Sequence, residues 1–410
     1  MVASRGRAAP ERVGRAGVPV SGPRAPVGPV SEHLLLLCSA FVSGIVNIVG
    51  RFRSPRAPRV LVVKLDHVGD VILATPAIRA MQEARPHDPI DVLIAPGSRV
   101  ALEGNPHIER ILYYDSPRYR RARGRAPGPA STLRVIRDVA RGGYSTIVEL
   151  RGDWWTLLLP FLTGASRRVD RGSVRLGEWI ARRASGAHRA RPPLHEVETN
   201  LEVVRPLLGS RLPDRPAVEI FPSESARESM RRKLEAAGVD FRAPIVCIHP
   251  GAAWRPRAWR PERFAAVADW IQDLYHPQVL FVGSSEERDI EAAVRASAKG
   301  RRTFWLAGEL TWQDLATLLE RARLFIGNEG GPAHVAAANR IPSVVLSGPQ
   351  EPGRFHPWSD LSVVLHHRVH CCPCRQDVCV HPENPCVNLI ELEEVKAQVR
   401  RILGPPESFR

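Results

Sequence analysis

Acidic side chains are scarce where this 410-residue chain begins: residues 1–59 hold nine arginines against only Glu11 and Glu32. The whole chain carries a formal net charge of +15, a balance that favours polyanions such as nucleic acid, an anionic membrane face or a phosphorylated acceptor. No nucleic-acid-binding module accompanies the charge, so nucleic acid is not an expected partner. A membrane-spanning run is also lacking. The apolar stretch from Leu34 to Val49 is interrupted by Ser39, Ser43, Gly44 and Asn47, and it falls short of the ~20 residues that cross a bilayer. Nor is there a disulfide framework for the fold, because five of the seven cysteines crowd into residues 371–386 while Cys38 and Cys247 stand alone.

What is present is ordinary globular composition, 44% hydrophobic and 25% charged, at a length that suggests two or three domains. Residues 1–32 are basic and proline-rich without periodicity, and are expected to be disordered. Residues 33–58 hold the apolar stretch followed by Arg51 and Arg53, which reads as a helix lying on an anionic membrane surface. The alternatives are a helix packed onto the globular body and a cleaved leader, although no small-residue cleavage site follows convincingly.

From Arg59 onward, short apolar runs alternate with helical stretches. VLVVKL (60–65), IDVLIA (90–95), RILYYD (110–115) and STIVEL (145–150) read as strands, and HEVETNLEVVRPLL (195–208) as a long helix. Residues 59–208 therefore form a first Rossmann-like domain. Residues 209–225 are turn-rich and read as a linker. A second alternating series over 226–403 starts at PIVCIHPG (244–251) and ends in the helix IELEEVKAQVRRIL. The expected class is α/β: two doubly wound halves facing each other, with ligands in the cleft at the carboxyl ends of both sheets.

Three turns at those sheet ends carry chemistry. In KLDHVGDVILATPAIRAM (64–81), Asp70 follows Gly69 at a strand-to-helix turn, where a carboxylate either caps the helix or takes a proton from an acceptor hydroxyl. HPGAAWRPRAWRPERF (249–264) places Arg255, Arg257 and Arg260 in a loop after a buried strand, and guanidinium forks suit a diphosphate. FIGNEGGPAHVAAANR (325–340) is a strand, a Gly330-Gly331-Pro332 turn and a small-residue helix, whose first amides can hold phosphate oxygens with His334 one turn in.

These stretches resemble, in order, those of glycosyltransferase family 9, the bacterial heptosyltransferases of lipopolysaccharide core assembly, over roughly residues 59–403. The resemblance implies a GT-B fold and inverting, metal-independent transfer from a nucleotide-sugar donor, most plainly an ADP-sugar. It implies that Asp70 is the general base and that Arg257 stands where relatives carry a phosphate-binding lysine. It also implies that Glu329, Gly330, Gly331 and His334 form the donor turn, with Glu329 in place of the family's Asp and Gly330 in place of its Ser or Thr. Glu286 matches a glutamate that holds the nucleotide ribose, with its neighbour Glu287 and a solvated helix start as the alternatives. The acceptor implied is a lipopolysaccharide-core or other envelope glycan, and the expected location is the cytoplasm, peripheral on the inner face of the inner membrane. The rivals are a nucleotide-sugar epimerase of the same fold and a non-catalytic nucleotide-sugar or glycan-binding scaffold.

Two further features stand apart. Cys371, Cys374, Cys379 and Cys386 follow a C-x2-C-x4-C-x6-C spacing, enough thiolates for a structural zinc or an iron–sulfur site, with disulfides or free thiols as alternatives. Arg118, Arg120 and Arg121 lie in a basic run of the first domain, which would either grip acceptor phosphates or be a solvated insertion.

Overall fold

The computed structural model describes residues 29–50, 58–115, 129–151, 159–173, 194–209, 212–214, 216–299, 302–350, 352–374 and 379–409. Arg118, Arg120 and Arg121 lie outside the described residues.

Two parallel sheets carry the chain. The first contains β1 (Val60–Lys64), β2 (Ile90–Ile94), β3 (Arg110–Tyr113), β4 (Thr146–Glu149) and β5 (Arg167–Asp170) in the order β3-β2-β1-β4-β5. The second contains β6 (Ile245–His249), β7 (Gln278–Phe281), β8 (Thr303–Trp305), β9 (Ala322–Asn328), β10 (Ser343–Ser347) and β11 (Ser362–His366), ordered β11-β10-β9-β6-β7-β8. All their pairings are parallel. β1, β2, β4 and β6 are buried along their whole length, as their continuous Val/Ile/Leu character requires of strands covered on both faces. Two parallel doubly wound sheets facing one another form the GT-B arrangement.

In each sheet the chain builds outward from one strand and then jumps to that strand's other side: from β3 to β4 beside β1, and from β8 to β9 beside β6. Loops leaving the two neighbouring strands there diverge, which opens a crevice at their carboxyl ends. The helix Glu196–Leu208 packs on the helix Thr75–Ala84 and lays Val197, Leu201, Val204 and Leu208 into the first core.

β5 and β11 do not announce themselves in the sequence. β5 reads Arg-Arg-Val-Asp, and its Arg168 is nevertheless buried. Its partners come from the helix Pro29–Gly50: Arg168 Nη1 donates to Ser43 Oγ (2.7 Å), and Ser43 Oγ–H bonds Asp170. Asn47 closes the contact by donating to the Arg168 carbonyl (2.9 Å) and accepting from its amide (2.8 Å). Among the described residues, no helix is long and apolar enough to cross a membrane.

Candidate active site

Asp70 sits in the short helix Val68–Ile72, just beyond the end of β1. Beneath it lies a network of buried charge. Lys64 Nζ is 3.0 Å from both Asp66 Oδ2 and Glu196 Oε1. Arg171 grips both oxygens of Glu196, at 2.7 and 2.6 Å. Arg151 Nη1 lies 2.7 Å from Asp66 Oδ1. Each buried carboxylate is thus paired twice, which is the condition for burying charge without a large penalty.

Among the described residues, Asp70 itself has no such pairing. Burial, and next the nearby Asp66 carboxylate, push its pKa up to about 6. A carboxyl poised there is half-ionised close to neutrality, the range in which a general base works best. The side chain does not cap its helix, whose N-cap position is His67.

Across the cleft, the helix Gly331–Ala338 begins at the end of β9, with Gly330 as its N-cap. The amides of Gly330 and Gly331 precede the first intrahelical bonds and so present unpaired donors at the positive end of the helix. His334 is buried and its Nδ1 has no hydrogen-bond partner among the described residues. Such an atom in a folded protein marks a place for a ligand atom. Burial, then the neighbouring His195, His356 and Arg257, hold its pKa down at about 3, so the ring is neutral at physiological pH.

Glu329 and Arg257 meet beside this turn. Arg257 Nη2 is 3.5 Å from Glu329 Oε1, and Ser347 Oγ donates to Glu329 Oε2 at 2.9 Å. Asn328 ties the two donor-side loops together: its Nδ2 donates to the carbonyls of Pro250 (2.8 Å) and Gly251 (3.1 Å), and its Oδ1 accepts from Trp259 N (3.0 Å).

The two halves touch directly. A Cβ added to Gly69 would sit 2.6 Å from the His334 ring, and one added to Gly331 would sit 2.7 Å from Val68 and 2.6 Å from Trp312. Only glycines allow the Asp70 helix and the Gly330–His334 turn this close. At the back of the cleft, His195 Nδ1 accepts from Val197 N (3.2 Å), so Nε2 carries the proton and donates to the His356 carbonyl (2.9 Å). Trp358 Nε1 donates to the Pro216 carbonyl at 2.6 Å, a second tie.

The structure therefore brings together Asp70, Arg257, Glu329, Gly330, Gly331 and His334. Glu286 is exposed on the turn after β7. Its neighbour Glu287 is committed elsewhere, accepting from Ser284 N (2.7 Å) in a capping box and lying 3.5 Å from His249. The cysteines are arranged otherwise than their spacing suggests. All five of residues 371–386 line one cavity of about 570 Å³, yet among the described residues the group of ligand atoms within 4.8 Å of one another is His370, Cys371 and His381. Cys374, Cys379 and Cys386 are not part of it.

Sequence reasoning missed Lys64, Asp66, Arg151, Arg171 and Glu196. Lys64 and Asp66 were in view, inside the KLDHVGD motif, where charge at the end of an apolar strand was the available signal. Arg171 and Glu196 lie far along the chain and no local pattern links them to it.

The chain's residues 132–384 match the family described as glycosyltransferase family 9 (heptosyltransferase). It is 31% identical to lipopolysaccharide heptosyltransferase 3 of Escherichia coli over 300 residues, covering 71% of this chain and 84% of that one. It is 24% identical to lipopolysaccharide heptosyltransferase 1 of Pseudomonas aeruginosa over 370 residues, covering 86% of this chain and all of that one. In structure it is similar to a glycosyl transferase family 9 protein from Veillonella parvula, with a TM-score of 0.71, 22% identity and coverage of 85% of this chain and 98% of the other. The E. coli heptosyltransferase WaaC with ADP gives a TM-score of 0.61 at 17% identity, covering 84% and 99%. With the match spanning more than half the chain and the same two-sheet architecture, this protein belongs to glycosyltransferase family 9 and is a glycosyltransferase.

Proposed function

We propose that this enzyme transfers heptose from ADP-heptose to a lipopolysaccharide-core sugar, with inversion and without a catalytic metal. Asp70 removes the proton from the acceptor hydroxyl as its oxygen attacks the anomeric carbon. The bond from that carbon to the diphosphate breaks on the opposite face. Arg257 and the amides of Gly330 and Gly331 neutralise the departing ADP, the part a divalent cation plays in other transferases. Neutral His334 donates to a donor oxygen. Glu286 reaches the ribose, since Glu287 is held by its capping box and His249.

The observation that carries this reading is the contact between the two motifs: the helix bearing an Asp with a pKa of about 6 is pressed against the Gly330–His334 turn. The names of the relatives, lipopolysaccharide heptosyltransferases, and the ADP bound by WaaC supply the substrate class. We take residues 59–208 as the acceptor half and 226–403 as the donor half, with Arg118, Arg120 and Arg121 directed at acceptor phosphates. The reaction then takes place at the cytoplasmic face of an anionic membrane, where a lipid-linked acceptor resides. The cysteine segment has no role in the transfer; a structural zinc there would be held by His370, Cys371 and His381 and would staple the loop.

The test is a donor titration across ADP-, GDP-, UDP- and dTDP-sugars, followed by turnover with a core acceptor in the presence of a chelator. Saturable binding of ADP-heptose, chelator-resistant transfer and loss of transfer in Asp70→Asn are the expected results. Sugar release or epimerisation independent of acceptor would overturn the reading.

A further inference from the structure

The helix Pro29–Gly50 has two unlike faces. Ser43, Val46 and Asn47 fix one face to the edge strand β5 through the buried Arg168 and Asp170. On the other, Leu34, Leu37, Phe41, Ile45 and Ile48 are exposed, from 37% at Ile45 to 70% at Phe41. At 3.6 residues per turn these five fall within an arc of about 80°, with Ser43 on the opposite side. The stripe runs for about 21 Å. Aliphatic exposure on this scale is unusual for a helix that is otherwise firmly docked, because an amphipathic helix ordinarily turns its apolar face inward. Here the polar face is the one turned inward.

The short helix Leu159–Thr163 leads into β5 and exposes Phe161 and Leu162 at the same edge of the sheet. In sequence, the stripe carries no charge beyond Glu32 and is followed at once by Arg51, Arg53, Arg56 and Arg59.

We infer that this face inserts into the headgroup–acyl boundary of an anionic lipid leaflet and, because its back is bonded to β5, holds the acceptor half of the enzyme in one fixed orientation on the membrane. Charge complementarity selects lipid over a second copy of the chain. A leaflet offers apolar depth for the stripe and anionic headgroups at its rim for the arginines that follow it in sequence, which a second copy of this basic chain does not. This inference deepens the membrane setting proposed above, and it is read without donor or acceptor.

The experiment is flotation of the full chain with phosphatidylcholine vesicles, with and without phosphatidylglycerol. The wild type is compared with Leu37→Glu/Phe41→Glu/Ile45→Glu and with Arg51→Gln/Arg53→Gln/Arg56→Gln. The wild type is expected to float with the anionic vesicles. The Glu triple variant should lose at least about tenfold in partitioning, and the Gln triple variant a smaller, salt-dependent amount. Melting temperature and ADP binding should be unchanged in both, which separates this outcome from failure of the donor reading. A Phe41→Trp reporter should shift to the blue and be quenched by brominated lipid. Failure of the wild type to bind anionic vesicles, equal binding by the Glu variant, or a wild-type dimer that the Glu variant dissolves would overturn the inference, the last in favour of a second copy.

Discussion

On the N-terminal side of the cleft, five charged side chains (Lys64, Asp66, Arg151, Arg171 and Glu196) are locked together beneath one less firmly held carboxyl, Asp70. On the C-terminal side Arg257 meets Glu329 at 3.5 Å, beside a run of small residues and the buried His334, whose Nδ1 has no hydrogen-bond partner among the described residues. The contrast fits the chemistry proposed for each side. Proton removal depends on a pKa, and a pKa is set by fixed charges and burial, which must be in place before the substrate arrives. Holding a leaving diphosphate depends on donors that the ligand itself completes, so that side is left unsatisfied until the donor binds.

The strongest way to break this division is Asp70→Asn. If Asp70 is the base, kcat falls by about 10³-fold or more while ADP affinity stays within a factor of about two. Comparable loss of both would put Asp70 on the donor side. Next comes Lys64→Met, which strands Asp66 and Glu196 without their shared partner. Stability is expected to fall by about 3–5 kcal/mol, read by urea denaturation. A loss below about 1 kcal/mol would mean that the network is not a scaffold.

Gly331→Ala should leave the fold intact and lower kcat by about 10²-fold, because its Cβ would meet Val68 and Trp312. Arg257→Ala should weaken ADP binding by about ten- to a hundredfold, the value of a charge-assisted contact, with little effect on the pH profile. The smallest effect sharpens the comparison most. In the wild type, kcat/KM should fall about tenfold per unit as pH drops below about 6, since only ionised Asp70 accepts a proton. In Asp66→Asn that limb should move to lower pH, because the like charge that raises Asp70 is gone. An unmoved limb would assign the titration to another group.

The sheets were legible from the sequence because strands covered on both faces have to be mostly aliphatic, as VLVVK, IDVLI and IVCIH are. The edge strand β5 was not: it is mostly charged, and its burial depends on Ser43, which lies 125 residues from Arg168 in the chain. Asp70 and the Gly330–His334 turn were legible as local turns. The network that tunes Asp70 was hidden, since Lys64 meets Glu196 across 132 residues and an isolated Glu at a helix start reads as a solvated one. Adjacent residues defeated the reading in a different way. The Ser284 capping box engages Glu287 while Glu286 stays exposed, and the thiol spacing gave no hint that His370 and His381 would gather with Cys371.

The fit of His334 against Gly69 also bears on waste. An enzyme that binds an activated sugar before its acceptor risks spending it on water. In the reaction proposed above, the helix that carries Asp70 as the base is the same one that rests on the Gly330–His334 turn. Any opening that parts Gly69 from His334 therefore withdraws Asp70 from the donor, and a nucleotide sugar held in the open cleft has no base beside it to activate a stray water. A missing methyl group thus acts as an interlock between loading and firing.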